Sequence, residues 1–457
     1  MDPKKTKKRR VPLATTLIEN FGLNPAVATA IASIFIAVVL AAVVWIIRSA
    51  PPRTIVITSG PAGSSFERYA QNYQKILAKH GVTLVILPSN GSIDNLQRLQ
   101  DPTAKVDIGF VQGGMLPKDT VVKGLVSLGS IAYQPLWVYY RNPTPITRLS
   151  ELQGKRIAVG PVGSGTRALA TALLTANGVT NAAPTVFSEQ DSTAAAADLL
   201  AGKVDAVFMM GDSASTKTLV SLGRAADVQM FNFAQADAYV RRFSYLNKMT
   251  IPEGVLDLGK NLPAKDVELV APMLELVARD GLNPAMSDLL LSVAQEVHGK
   301  AGFTQKRGEF PAPLEHEFPL SEDAQRYYKS GKSFLYRMID NFWLASLLNR
   351  ILVAVVPLAL VLIPTIKFFP FAYRFRIQLK IYKCYRPLLR LEREAQDVAL
   401  TKEDAQELLK RLDEIEHSVN HLKVPASFAS AFYELRGHVA FVRRRLQGVA
   451  TAPEMTP

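Results

Sequence analysis

The sequence predicts an α/β protein of two matching βα lobes, carried between two membrane-crossing helices and followed by a helical tail. Three observations predict it. A strand-like run ends in Gly60-Pro61-Ala62-Gly63-Ser64 and opens a helix-like segment, and Gly160-Pro161-Val162-Gly163-Ser164 does so again. Each copy is followed by a further match, Lys105-Val106-Asp107-Ile108-Gly109-Phe110 and then Lys203-Val204-Asp205-Ala206-Val207-Phe208. Two apolar runs, Ala26–Ile47 and Ile351–Ile366, bracket the repeats.

A chain of 457 residues exceeds one ordinary domain. Its formal charge of +13 is uneven. Residues 1–48 hold 7 Lys/Arg against 2 acids, and residues 351–390 hold 7 against none. The middle, 49–350, has 30 against 27, and 391–457 has 9 against 11. The basic excess therefore lies beside the apolar runs, as the positive-inside rule describes. A nucleic-acid footprint would need a basic patch on a folded domain, and none is apparent. The single cysteine, Cys384, builds neither a disulfide framework nor a thiolate metal site.

The basic N-terminus, residues 1–25, carries Lys4-Lys5-Thr6-Lys7-Lys8-Arg9-Arg10. The run at 26–48 is long enough to cross a hydrocarbon layer of roughly 30 Å. A cleaved signal peptide would have a shorter apolar stretch and a small-x-small site, which Arg48-Ser49-Ala50 does not offer, so an uncleaved anchor is expected. The second span, 351–369, contains Pro357 and Pro364 and is bracketed by Arg350 and Lys367, which can snorkel. Trp343, Phe368 and Phe369 suit an interfacial belt. A buried soluble helix is the alternative, and the basic stretch Lys367–Arg390 argues for the span. Both termini are then cytoplasmic, in a cytoplasmic-type (inner) membrane, with residues 50–340 outside.

Within 50–340 the first lobe reads as strand Arg53–Thr58, glycine loop, helix Phe66–Lys79, strand Val82–Leu87, a helix entered at Asn90-Gly91-Ser92, and strand Val106–Val111. The second repeats the order: strand Ile157–Gly160, loop, helix Arg167–Ala176, strand Thr185–Phe187, helix Thr193–Ala201 and strand Val204–Met210. Alternating βα units with apolar strands argue for parallel sheets covered on both faces. Ligands of such sheets bind at the carboxyl ends of the strands, where the glycine loops fall.

The site follows from helix termini. Exposed N–H groups and a partial positive charge favour an anion, and glycine lets the backbone approach it. Candidate ligand-binding residues are Ser59, Gly60, Gly63, Ser64, Ser65 and Phe66 on the first loop. Asn90, Ser92, Asn95 and Gln112 follow other first-lobe strands, and Gly163, Ser164, Gly165 and Thr166 form the second loop. Capping uses the same serine hydroxyls, so cap and anion site stand together. Asp107 and Asp205, inside strand patterns, read as structural. Arg167 is placed either to pair with an acid or to face solvent.

Competing chemistry is thin. Gly163-Ser164-Gly165-Thr166-Arg167-Ala168 matches a dinucleotide fingerprint, with Glu189 where a ribose acid would lie. The first loop lacks that pattern, and the preceding span would put the domain outside the cytosol. There is no Walker loop or nucleophile elbow. His417 and His421 are four apart on a helix, and solvated helix histidines are commoner than metal pairs. The chain is read as a non-enzyme without cofactor or metal.

Taken together, the stretches Ser59–Ser64, Gly91–Leu96, Val106–Gln112 and Leu152–Thr166, with Pro252-Glu253-Gly254-Val255-Leu256 and Gly308-Glu309-Phe310-Pro311, resemble the TAXI family of TRAP-transporter solute receptors, in a membrane-anchored branch. The resemblance covers roughly residues 54–370. It implies a two-lobed periplasmic binding-protein fold of type II closing on a small carboxylate such as glutamate or 2-oxoglutarate, delivered to a TRAP-type permease. Two departures bear on the ligand: Phe66-Glu67 stands where the family has two aromatics, and Gly211-Asp212-Ser213 replaces a Gly-x-Pro.

In the tail, 371–450, Ala405, Leu408, Leu412, Ile415, Val419 and Leu422 follow a 3-4 spacing, as do Phe428, Phe432, Leu435, Val439, Val442 and Leu446 after Pro425. A helical hairpin is predicted, begun near a capping box at Thr401-Lys402-Glu403-Asp404 and extended by a helix from Tyr373. Its stripes pack on each other, or serve self-association or a cytoplasmic partner. The end, 451–457, is expected to be disordered. Two functions stay open besides the enzyme alternative: a tethered receptor serving a permease, and a sensor signalling through the tail.

Overall fold

The computed structural model describes residues 25–117, 120, 122–302, 304–314, 317–397, 401–422, 424 and 428–451. The basic cluster at 4–10, Pro425 and all of the expected disordered end but Thr451 lie outside them. The chain forms two compact units, Ser49–Asn349 and the segments Met1–Arg48 with Arg350–Pro457.

Helix α1 (Pro25–Arg48) is apolar around its whole circumference, with Ile34, Leu40, Trp45 and Ile47 all exposed. It opens the second of these units; the first is a pair of α/β lobes. The first lobe begins with β1 (Thr54–Thr58), α2 (Ser65–Lys79), β2 (Thr83–Leu87), α3 (Ser92–Gln100) and β3 (Ile108–Gln112). The β-branched run of β1 lies between β2 and β3, parallel to both, with Ile57 opposite Ile86 and Ile108. On α2 the spacing of Phe66, Ala70, Tyr73 and Leu77 puts all four on the sheet, fully buried.

From β4 (Leu125–Tyr133) the chain crosses to β5 (Trp137–Tyr140) and builds the second lobe. This holds β6 (Arg156–Ala158), α4 (Gly165–Ala176), β7 (Val186–Ser188), α5 (Ser192–Leu200), β8 (Ala206–Met209), α6 (Thr216–Gly223), β9 (Gln229–Met230) and α7 (Ala236–Arg242). Its sheet has the order β7-β6-β8-β5-β9, with β6 parallel to its neighbours and β5 antiparallel to its own. Asp107 and Asp205 act structurally in the two lobes: Asp107 accepts the Val56 N–H at 2.7 Å, and Asp205 pairs with Arg156 at 2.7 Å.

The return path is β10 (Leu246–Ile251) and β11 (Val267–Arg279), then α8 (Pro284–His298), α9 (Glu322–Ser330) and α10 (Phe334–Met338). β11 serves both lobes. Val267, Leu269 and Val270 pack into the second-lobe core, and Leu274, Leu276 and Ala278 into the first. The outward crossing runs beside it: Gln134 N–H donates to Pro272 O and Leu136 N–H to Val270 O, each at 2.9 Å. The first-lobe sheet is therefore β10-β11-β3-β1-β2, with β4 also on β11.

β11 also buries Glu275, 1% exposed, in the first lobe. Burial pushes its carboxyl up to about 7; the charge of Glu317 adds to the rise and the Ser127 hydroxyl opposes it.

In the unit holding Arg350–Pro457, helix α11 (Phe342–Asp397) differs from expectation. Neither Pro357 nor Pro364 ends it, and no break separates the apolar run at 351–369 from the tail at 371. Each proline removes one backbone hydrogen bond, a local loss that does not interrupt the helix here. Trp343, one of the belt candidates, donates its indole N–H to His80 O at 3.0 Å, and Arg53 lies over its ring. Arg350, expected to snorkel, donates to the Ile46 carbonyl near the end of α1.

The hairpin forms as α12 (Lys402–Asn420) and α13 (Ala429–Ala450), and the end of α11 makes it a three-helix pack. Leu388 and Leu391 meet Leu408 and Leu412 from α12 and Leu435, Val439 and Val442 from α13. Thr401 and Asp404 close the capping box. Arg411 ties α12 to Glu394 of α11 at 2.7 Å. Leu412→Ala should destabilise this pack by about 2–5 kcal/mol, read as faster proteolysis of the tail with the unit Ser49–Asn349 intact.

Candidate solute-binding crevice

Both glycine turns reach their helices by the same local route. Gly63 and Gly163 hold φ of 80° and 86°, which lets the chain reverse before a serine. Ser64 caps α2 by accepting the Glu67 N–H at 3.2 Å, and Ser164 caps α4 by accepting the Arg167 N–H at 3.1 Å. Both serines are buried. Ser164→Ala should cost about 1–2 kcal/mol, measured by chemical denaturation of the full chain.

The two turns face one crevice, and protein groups meet across it. Ser65 N–H, the first amide of α2, donates to Gly211 O at 3.1 Å and to Ala214 O at 3.2 Å in the second lobe. Arg68 donates to Thr216 Oγ1 at 2.7 Å across the same gap, and Asp94 N–H donates to Gly163 O at 3.1 Å.

At the centre is Asp212, on the loop after β8. Its side chain turns inward onto the N-terminus of α4. Oδ2 accepts the Gly165 N–H at 2.5 Å and the Thr166 N–H at 3.3 Å, and Oδ1 accepts the Thr166 hydroxyl at 2.6 Å. Ser213 Oγ is 2.9 Å from Thr166 Oγ1. Asp212 has no exposed surface. Burial raises its carboxyl above the ordinary value, and the four donor groups, Thr166 first, oppose the rise. First-lobe glycines close over it: a Cβ on Gly91 would lie 2.7 Å from Asp212 Oδ2, and one on Gly60 2.9 Å from Asp212 O.

Gln112, at the end of β3, packs its amide on Gly165, where a Cβ would come within 2.6 Å of Gln112 Oε1. Gln112 is 1% exposed, and neither amide atom has a hydrogen-bond partner among the described residues. A buried amide left this way costs about 1–3 kcal/mol, so it marks a place where a partner is wanted.

The other candidates divide. Ser92 Oγ accepts the Gln112 N–H at 3.3 Å and so holds the end of β3. Asn90 is exposed, and a Cβ on Gly163 would lie 3.1 Å from its Cβ. Asn95 is tied up: it accepts from Thr58 Oγ1 at 2.6 Å and donates to Ser59 O at 2.6 Å and Phe110 O at 2.8 Å. Phe66 faces the first-lobe core, its ring edge-on to Phe110. Ser59 Oγ donates to Leu87 O at 3.3 Å. Glu189, the ribose-acid candidate, pairs with Arg167. Sequence reasoning did not assign a role to Asp212 or Gly91; the one signal was an acid where the resembling family carries Gly-x-Pro.

Beside the crevice a cavity of about 250 Å³ opens between the lobes, lined among others by Ser65, Arg68, Gln134, Trp137, Thr216 and Lys300. It offers Arg68 and Lys300 from the first lobe and a hydroxyl from each lobe, Ser65 and Thr216, groups suited to a small polar anion. Among the described residues no group of three or more His, Cys, Asp or Glu could hold a metal.

Comparison with solved structures finds the alkanesulfonate-binding protein SsuA from Xanthomonas axonopodis pv. citri bound to MOPS at 14% identity, covering 54% of this chain and 74% of that one, TM-score 0.34. An ancestral arginine-binding protein bound to arginine matches at 16% identity, covering 54% and 92%, TM-score 0.34. A structure described as a periplasmic transporter matches at 15%, covering 62% and 94%, TM-score 0.38. Likeness at this level carries nothing about the ligand. The model of the NMT1-like family matches residues 58–330, which span both lobes and the crevice between them. With more than half its length inside that match, the chain belongs to the NMT1-like family.

Proposed function

We propose that the chain is a membrane-tethered extracytoplasmic solute receptor for a small carboxylate of the glutamate or 2-oxoglutarate kind, serving a TRAP-type permease. The observation that carries the reading is the carboxylate-accepting geometry at α4: two amides and a hydroxyl converge on carboxylate oxygens where two lobes meet. The cavity beside it, with Arg68 and Lys300 on its walls, has room for such a solute. Ser64, Ser65, Gln112 and Ser164–Thr166 remain the residues proposed to face it.

The tethers are proposed from Thr29–Arg48 and Phe342–Thr365, the two helices among the described residues that are long and apolar enough to cross a membrane. Exposed Leu40, Leu360 and Val361 give them a continuous apolar surface of the kind water does not tolerate. Lipid contact, an inner-membrane location and cytoplasmic termini follow from the basic flanks.

The test is a thermal-shift screen of the full chain in nanodiscs. Glutamate, 2-oxoglutarate or succinate should raise the outer-domain transition by several degrees. No shift with any small carboxylate sinks the reading. Sensing is the second reading, favoured by the separate core of the three-helix tail, which a tether alone does not require. Co-purification of a permease separates the two.

A further inference from the structure

We infer that Asp212 is a built-in ligand: its carboxylate fills the second-lobe seat that a solute's carboxylate would take, and it holds the lobes closed without solute.

Three features carry this beyond capping. The contact pattern is that of a bound carboxylate. Both oxygens are engaged, by two successive amides of α4 and by the Thr166 hydroxyl, and Ser164 already caps the helix in the ordinary way. Ser164 satisfies one of the unpaired amides of α4, and Asp212 takes two more, the adjacent pair that a solute's carboxylate would bridge.

Asp212 is also the surface onto which the first lobe closes. Gly91 lies against its Oδ2 and Gly60 against its carbonyl, each too close for a Cβ. The same loop takes the Ser65 amide through Gly211 O and Ala214 O. The loop 211–214 thus supplies acceptors to the helix termini of both lobes, the work a bridging solute does in a closed receptor.

Gln112 is the third. It is buried and aimed at Gly165, with no partner among the described residues for either amide atom. Asp212 fulfils the demand of the helix but not that of the amide, as expected of a substitute smaller than the molecule it replaces.

The consequence is a specificity rule. A carboxylate reaches α4 only by expelling Asp212, so the native crevice disfavours small anions there. A solute is met first by groups Asp212 leaves free, Gln112 and the Arg68–Lys300 cavity, and engages Ser164–Thr166 only once Asp212 has been displaced.

The experiment uses the full chain in nanodiscs with Asp212→Ala and acetate as probe. Lobe separation is read by pulsed spin-label distances between Lys79→Cys and Lys203→Cys, in a Cys384→Ser background. The variant should open, and acetate should close it again and raise its transition temperature. The native chain should stay closed and respond to acetate at least about tenfold more weakly, a hydrogen bond to a charged group being worth that factor or more. Asp212→Asn, which keeps the volume, covers a folding failure of the alanine variant: it should shift the distances towards the open form, and acetate should not restore them. An Asp212→Ala protein that stays closed, or equal acetate responses in native and variant chains, overturns the proposal. So does an unchanged distance distribution in Asp212→Asn.

The receptor reading fails separately. Glutamate shifting the native chain while Asp212→Ala stays closed removes only the built-in ligand. Acetate rescue with no response of either protein to dicarboxylates leaves Asp212 as a lock and removes only the receptor.

Discussion

Gly91→Ala is expected to hold the lobes apart and to weaken solute binding by roughly 30- to 150-fold, the effect of a closed state costing about 2–3 kcal/mol more. Two costs add at this position. Gly91 has φ 127°, which side-chain-bearing residues rarely adopt. Its Cβ would lie 2.7 Å from Asp212 Oδ2 and 3.1 Å from the Ser164 Cα, so a carboxylate and a backbone must both give way. Both belong to the opposite lobe, and opening relieves the clash. Gly202→Ala is the control, with φ 71° and nothing within 4 Å of the new Cβ. It should lower stability through backbone strain alone and leave lobe separation unchanged. Equal behaviour of the two variants would mean that Gly91 matters only for its dihedral angle.

Glu275→Gln is expected to stabilise the two-lobed unit Ser49–Asn349 at pH 8 by up to roughly 3 kcal/mol and to leave it unchanged near pH 4.5. The sign follows from the raised carboxyl. Folded Glu275 keeps its proton to about pH 7, whereas the unfolded chain releases it near the ordinary value of 4.5. Between those limits the folded state binds more protons, so stability falls as pH rises through the window and is flat above it. Glutamine keeps the shape and removes the titration. Asp212, Asp288 and Glu317 are also raised and tilt the profile the same way, so the quantity to measure is the difference between native and variant chains in denaturant titrations. A parallel pair of pH profiles would show that Glu275 is ionised at no cost.

How much of this was legible in the sequence varied with the range of the interactions. The βα repeats were readable because their cues are local: β-branched runs, a glycine turn, a serine cap and an apolar stripe within fifteen residues. The hinge was not. β11 reads Val-Glu-Leu-Val-Ala-Pro-Met-Leu-Glu-Leu-Val-Ala-Arg, which lacks clean alternation because it changes lobes near Pro272 and is buried differently on either side. The periodicity that put Phe66 on the buried face of α2 also took it out of the crevice. Asp212 was opaque for another reason. An acid after a strand ordinarily faces water, and only the distant amides of Gly165 and Thr166 turn it inward. The joining of the apolar run to the tail in one helix was hidden by four prolines, each of which argues locally for a stop.

The passage of β11 through both lobes also sets an order of events during synthesis. The second lobe is contiguous, its core drawn from Leu136 to Val270. The first takes Leu274, Leu276, Met286 and Leu290 from beyond it. As the chain leaves the ribosome, the lobe made first must wait, half-built and in need of shelter, until its younger neighbour has been made.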